Sequence, residues 1–219
     1  MKRLKWLALA LAVAAALVGA AYAGWGKNLD IVDPIITGNL DMKFTGGHVA
    51  SSPLVTAGLN VSDYEAQVSV GNLYPGSLLY FDLRAENTGT IPVKLANAEL
   101  ILNPANDAVW NYTRATCYVL FDTDGPGPAP PQFRLVQIYG PFANLAQNLT
   151  SRLSDVVFKP GGWITFDAPE GTDLNEDGVV NEEDQNCITL WLDRNAPNDT
   201  TEGKNVSFTL RLNWKQFNK

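Results

Sequence analysis

Apolar and polar residues alternate with a period of two along much of this chain, and this pattern limits its fold more than any other feature. The alternation is clearest near the C-terminus, where polar residues separate Val206, Phe208, Leu210, Leu212 and Trp214. A period of two places alternate side chains on one face, so a strand with one buried face is predicted. Similar patterns predict strands at residues 40–44, 65–70, 78–87, 93–102, 115–121, 133–139, 163–168 and 187–193.

One segment has helical spacing instead. Its apolar residues recur at intervals of three and four, namely Phe142, Leu145, Ala146, Leu149 and Leu153, which places them on one side of a helix. Pro141 stands near the start, where a missing N–H costs nothing. Many short strands with one short helix predict an all-β fold, a jelly-roll-like β-sandwich with insertions.

The first residues have the order of a cleavable signal peptide. Three basic residues precede an apolar run over residues 6–21, and Ala21-Tyr22-Ala23 supplies a small-residue cleavage site. The apolar run is shorter than the roughly 20 residues that a membrane-spanning helix needs, so an uncleaved anchor is the weaker alternative. The chain is therefore predicted to be secreted, with a signal peptide at 1–23, a leader at 24–36 and a β-sandwich domain at 37–219, and with no stable membrane span after cleavage.

The charge balance is acidic. The formal net charge is -7, and it becomes -10 once the three basic residues of the signal peptide are removed. Nucleic-acid binding needs a basic face, so this balance argues against it. Hydrophobic residues make up 46% of the chain, enough to fill a sizeable core.

Five N-x-[ST] sequons make N-glycosylation of an exported chain a prediction. They begin at Asn60, Asn111, Asn148, Asn198 and Asn205. This number favours a eukaryotic or archaeal surface glycoprotein. The alternative, that some sequons are unused turn or strand residues, is expected to hold for at least one of them.

Cys117 and Cys187 are the two cysteines of the chain. An even pair in an exported protein is more often bridged than reduced, so a disulfide is predicted. Closing a loop of this length would stabilise the fold by roughly 4 kcal/mol on the chain-entropy argument. Two cysteines and one histidine are too few for a structural zinc site.

The strongest local motif is an acidic loop at residues 173–184. Oxygen-bearing side chains fall at loop positions 1, 3, 5, 9 and 12, and a backbone carbonyl is expected from position 7. These residues are Asp173, Asn175, Asp177, Asn181 and Asp184, with Val179 as the carbonyl donor. The spacing predicts a Ca²⁺ site and resembles dockerin loops. The alternative is an acidic surface loop that binds nothing.

Signatures of enzymes are absent from the sequence. It contains no H-E-x-x-H, no G-x-S-x-G and no phosphate-binding glycine loop. His48 is predicted to lie in a loop as a solvated residue. Asp122 and Asp124 are predicted to be solvating carboxylates and not an acid–base pair. The chain is therefore not expected to be an enzyme.

Residues 72–95, NLYPGSLLYFDLRAENTGTIPVKL, resemble the camelysin and TasA family of secreted fibre-forming proteins. In that family an "L-x-P-G" turn leads into a strand that ends in "N-x-G-[ST]-x-[PA]-[VA]". The start of the mature chain agrees, because Gly24-Trp25 is followed by the strand motif Gly38-Asn39-Leu40-Asp41-Met42. Within the family, the archaeal bundling pilins are the most similar.

The resemblance implies a jelly-roll subunit of an extracellular filament or pilus, as in biofilm matrices or cell–cell adhesion. Subunits of such filaments assemble head to tail by donor-strand complementation, so the partner would be a second copy of the chain, with neighbouring filaments as a further candidate. The donor would be the leader 24–36, through Asn28, Leu29, Ile31, Ile35 and Ile36. A leader that stays flexible or pairs with its own subunit is the alternative for this segment. The alternative function is a monomeric, calcium-stabilised surface module for adhesion or for binding carbohydrate or protein.

Overall fold

The apolar faces of alternating strands are buried most readily against one another, and the chain forms two antiparallel sheets that pack face to face. The computed structural model describes residues 38–125, 134–166 and 188–218, all within the unit Gly38–Lys219. Strands account for 57% of the structure and helices for 13%, which confirms the predicted all-β sandwich with one short helix. The signal peptide, the leader 24–36, the loop 173–184 and Cys187 lie outside the described residues.

The described strands are β1 (Met42–Ser51), β2 (Thr56–Val61), β3 (Glu65–Leu73), β4 (Leu78–Asn87), β5 (Val93–Asn103), β6 (Thr113–Asp122), β7 (Arg134–Pro141), β8 (Val157–Phe158), β9 (Trp163–Thr165), β10 (Ile188–Leu192) and β11 (Lys204–Gln216). The described helices are α1 (Val109–Tyr112), α2 (Leu145–Leu153) and α3 (Asn198–Thr201), and a 3₁₀ turn at Phe142–Asn144 precedes α2. Among these residues, sheet A has the order β1-β4-β10-β6-β7, with β9 also between β4 and β6, and sheet B has the order β2-β3-β11-β5-β8.

Strands β9 and β10 lie end to end in sheet A and together fill the place of one strand between β4 and β6. Both run antiparallel to β4, and both also pair with β6. The amide of Phe166, just after β9, donates to the carbonyl of Leu83, and Ile188 at the start of β10 lies opposite Phe81. One residue of β4, Asp82, therefore separates the two halves, although residues 167–187 stand between them in the sequence.

Aromatic side chains fill the centre of the core. Phe208 of β11 lies 4.8 Å from Phe142, 5.5 Å from Phe81 and 6.3 Å from Trp110, measured between ring centroids. The apolar residues predicted on the inner face of β11 are buried, except for half-buried Trp214. All five apolar residues of the predicted helical segment are buried as well, which confirms the helix assignment.

Helix α2 covers part of the outer edge of sheet B. The hydroxyl of Thr150 accepts a hydrogen bond from the amide of Ala98 on β5 (2.8 Å) and donates to the carbonyl of Ala146 (2.9 Å). Within the described residues, β1, β7, β2 and the two-residue β8 are each paired on one side, because each stands at the end of its sheet. A strand paired on one side presents unpaired N–H and C=O groups to any strand that can reach it.

Two local predictions are wrong. Strand β1 does not end at Phe44 but continues to Ser51 past a register shift between Phe44 and Gly46, so exposed His48 lies on a strand and not in a loop. Strand β2 was not predicted, although Ala57, Leu59 and Val61 alternate along it, because the segment is short and its Gly58 and Asn60 are uncommon in strands. In the part of the chain that the structure describes, no helix has the length and apolar character of a membrane span.

Candidate functional site: the N-terminal anchor

The first described residues are fastened to the turn that follows β4, and we call this contact, between Asn39–Asp41 and Thr88–Thr90, the N-terminal anchor. The amide of Thr90 donates to the carbonyl of Asn39 (2.9 Å), and the amide of Asn39 donates to the Thr90 hydroxyl (2.8 Å). The amides of Thr88 and Gly89 both donate to the carbonyl of Asp41, at 2.8 and 3.0 Å. Two sequence motifs that lie far apart in the chain thus meet in one structure.

Asn87 holds this turn from inside the protein. Its side-chain amide donates to the carbonyl of Ile91 (2.9 Å) and to that of Phe158 on β8 (3.0 Å), and its side-chain oxygen accepts from the amide of Gly89 (3.1 Å). The backbone of Asn87 is also bonded, through its N–H to the carbonyl of Gly162. The residue is 1% exposed, so this one side chain joins β4, the turn and β8.

Gly89 is required by the closeness of the two segments. A Cβ atom at this position would lie 2.3 Å from the backbone oxygen of Asn39 and 2.7 Å from the backbone nitrogen of Asp41. Neither backbone atom can move away without breaking the anchor. The "N-T-G-T" motif therefore combines a buried amide at Asn87 with a residue that has no side chain at Gly89.

The Asp41 carboxylate adds a charged contact to the anchor. Its Oδ2 accepts a hydrogen bond from the Thr88 hydroxyl (2.7 Å) and lies 3.5 Å from Lys43 Nζ. The hydrogen bond from Thr88 is the largest cause of a pKa of Asp41 below its ordinary value, burial opposes it, and the charge of Lys43 adds a smaller lowering effect. Asp41 therefore favours the anchored state when it is ionised.

The pKa of Asp82 is shifted in the opposite direction from that of Asp41. It stands on the outer face of sheet A opposite His48, whose amide donates to Asp82 Oδ1 (2.8 Å). Burial raises the pKa of Asp82, and the hydrogen bond from His48 opposes this effect only in part. The ionised form of Asp82 thus costs the folded state free energy.

The pKa shifts of Asp41 and Asp82 predict opposite changes in stability when each carboxylate is removed. A lowered folded pKa adds stability above the unfolded pKa, and this is lost as the pH falls through the folded pKa. A pKa that is raised in the folded protein has the reverse effect. The ionised group lowers the free energy of unfolding at neutral pH, and this loss disappears as the pH falls through the raised pKa. We expect Asp41→Asn to lower, and Asp82→Asn to raise, the urea midpoint at about pH 7, with both differences shrinking at about pH 3. Shifts of the same sign at neutral pH would contradict this assignment.

No protein-family model, curated protein or solved structure was found to match the chain. The geometry of the chain itself must therefore support any function that is proposed for it.

The other motif of residues 72–95 is also explained by the structure. Pro75 and Gly76 form a turn between β3 and β4, closed by the bond from the Ser77 amide to the Tyr74 carbonyl (2.9 Å). Gly76 has a φ of 87°, a conformation that side chains disfavour. The turn begins the strand whose other end, at Asn87, carries the anchor.

All five sequons lie within the described residues. Four of their asparagines are exposed, and Asn148 on α2 is half-buried. Asn60 on β2 and Asn205 on β11 share the outer face of sheet B, because each alternates with residues that point into the core. Their exposure is compatible with glycosylation, which stays a prediction.

Of the residues predicted to form the disulfide and the metal site, the structure describes Cys117. Cys117 is buried on β6 directly opposite Ile188, the residue that follows Cys187 in the sequence. Among the residues that the structure describes, no group of three or more His, Cys, Asp or Glu side chains is arranged to hold a metal ion. The six predicted calcium ligands lie outside those residues, and so do the five predicted donor-strand residues.

The carboxylates near β6 have local contacts. Asp122 is buried, and its Oδ1 accepts a hydrogen bond from the amide of Asp124 (2.9 Å). Asp124 itself forms an ion pair with Lys159. The prediction of solvating carboxylates is thus wrong for Asp122, which instead holds its own turn in place.

Proposed function

We propose that this chain is the structural subunit of an extracellular filament, assembled head to tail by donor-strand complementation, and that it is related to the camelysin and TasA family. The observation that carries the proposal is the N-terminal anchor. It fastens Asn39–Asp41 firmly to the body at the start of edge strand β1, only a few residues after the leader 24–36. A strand that is to cross to a neighbour needs a fixed point of departure, and the anchor provides one.

The sheet edges support the same proposal. Strands β2 and β7 are each paired on one side within the described residues. Strand addition uses backbone hydrogen bonds for affinity and side-chain pockets for register. A contact of this kind between unlike surfaces does not close on itself, so repeated contacts generate an open fibre.

A calcium ion held by the loop 173–184 is part of the proposal. The predicted ligands are Asp173, Asn175, Asp177, Val179, Asn181 and Asp184. Phe166 and Ile188 both lie in sheet A, in hydrogen-bonded or paired positions. Calcium would therefore bind to a segment with two anchored ends and would stiffen the subunit, as extracellular calcium modules do.

The proposal predicts that Ile31→Asp blocks filament growth while the body stays folded. A buried isoleucine contributes about 1.5 to 3 kcal/mol, and a carboxylate in the same pocket would also be desolvated. Electron microscopy of the mature protein should show filaments for the wild type and isolated subunits for the variant. Ile101→Asp is the matched control, because Ile101 is an exposed isoleucine on β5 of the body.

Deletion of residues 24–36 provides the second half of the test. The deleted protein should be a folded monomer that binds a synthetic peptide of residues 24–36. Filaments of normal appearance from the deleted protein would show that another surface drives assembly and would refute donor-strand complementation.

A further inference from the structure

We propose that the outer face of sheet A carries a binding site for an acidic polysaccharide, a glycan with carboxylate groups on its sugar rings. The site consists of Arg114 on β6, Tyr139 on β7 and Trp191 on β10, and we call it the aromatic corner. It is separate from the N-terminal anchor and from the sheet edges on which the filament proposal rests.

The register of sheet A places these three side chains on one surface. Trp191 lies directly opposite Arg114, and Tyr139 directly opposite Thr116, two residues further along β6. Their neighbours along the strands, including Ala115, Ile138 and Leu190, are buried in the core. Side chains alternate between the faces of a strand, so the aromatic corner points outward.

The two rings form one platform. The ring centroids of Tyr139 and Trp191 are 5.7 Å apart, and the ring planes are tilted by 36°. Tyr139 is 66% exposed, which is unusual for a large aromatic side chain on a sheet that has its other face in the core. Aromatic rings offer a flat apolar surface with a polar atom at the rim, which suits the apolar C–H face of a sugar ring and its hydroxyl groups.

The charge at the corner specifies the kind of glycan. Arg114 is exposed and forms no ion pair with any residue that the structure describes, although the whole chain has a net charge of -7. A guanidinium binds a carboxylate through two parallel hydrogen bonds, and it does so best beside an aromatic surface that excludes water. The complementary ligand therefore carries carboxylates next to stackable rings.

The surrounding side chains favour a glycan over a protein partner. Exposed Gln137 and half-exposed Thr116 and Tyr118 border the corner, and Gln137 Nε2 donates to the Tyr118 hydroxyl (2.8 Å). These groups can exchange hydrogen bonds with sugar hydroxyls. A standard protein–protein interface buries roughly 800 Å² on each partner around its aromatic core, whereas the aromatic surface of this corner consists of the rings of Tyr139 and Trp191.

Polygalacturonate is a suitable probe, with neutral dextran as its uncharged counterpart, and affinity electrophoresis of the mature protein is a suitable measurement. We expect polygalacturonate to retard the protein, dextran to have little effect, and added salt to weaken the retardation. Tyr139→Ala and Arg114→Gln should each weaken binding by at least tenfold. Tyr64→Ala and Arg152→Gln are matched controls at exposed positions elsewhere, and both should bind like the wild type.

Three binding results would each overturn the proposal. They are the absence of any polygalacturonate binding, equal retardation by dextran, and unchanged binding by Arg114→Gln. A change in self-association of Tyr139→Ala, with polygalacturonate binding unaffected, would assign the corner to contact with a second copy and would also refute the glycan site. The three binding results test the glycan site alone and not the filament proposal.

Discussion

Replacing Asn87 with alanine is expected to destabilise the protein by about 4 kcal/mol, which corresponds to a fall in Tm of roughly 8–16 °C for a domain of this size. The side chain makes three hydrogen bonds from a position that is 1% exposed. Alanine leaves the buried carbonyl of Phe158 and the partly buried carbonyl of Ile91 without these donors. Buried carbonyls that lose their partners account for most of the expected loss.

Asn97→Ala is the matched control, because Asn97 is a half-buried asparagine whose side-chain amide donates to Glu99 (3.1 Å) on the same strand. We expect a loss of less than about 1 kcal/mol there. Asn87→Asp adds a second test. A carboxylate would face two carbonyl oxygens, so this variant should be strongly destabilised at neutral pH and should recover in part when the carboxyl is protonated in acid. Equal unfolding midpoints for Asn87→Ala and Asn97→Ala would refute the role assigned to Asn87.

Gly89→Ala is expected to open the N-terminal anchor while leaving the sandwich folded. The added methyl would lie 2.3 Å from the backbone oxygen of Asn39, and such overpacking costs about 3 kcal/mol when backbone atoms have to move. Hydrogen exchange should therefore accelerate at the amides of Asn39, Thr88 and Thr90. The amides that pair the middle of β1 with β4 should keep their protection.

Gly46→Ala is the control for this prediction, because a Cβ at Gly46 would meet no atom within 4 Å. It should change neither stability nor exchange at the anchor by a measurable amount. If Gly89→Ala exchanged like the wild type at Asn39, the close approach of the two segments would not be what holds the anchor together. If the filament proposal holds, Gly89→Ala should also impair assembly.

Much of the fold can be predicted from the sequence where periodicity is strong. Strand β11 and helix α2 have unbroken patterns, and both are found close to the predicted positions. The course of β1 beyond Phe44 was missed because two consecutive glycines normally indicate a turn. In this sheet Gly46 and Gly47 instead follow a local shift in register.

The N-terminal anchor was harder to predict from the sequence. Asn39 and Thr90 are 51 residues apart, and a hydrogen bond at this separation leaves no local pattern in the sequence. The motifs around Asp41 and Asn87 were both noticed, but only the structure shows that they contact each other. The aromatic corner was missed for the same reason, because Arg114, Tyr139 and Trp191 belong to three different strands.

The interruption between β9 and β10 has a consequence for how the chain can vary. Since Phe166 and Ile188 occupy nearly successive places along β4, sheet A keeps its register whatever length of chain joins them. Closing a longer loop costs little additional entropy. Variants of this chain could therefore gain, lose or exchange a whole module at this point without redesigning the sandwich, and a protein engineer could use the same junction to display a foreign peptide or domain.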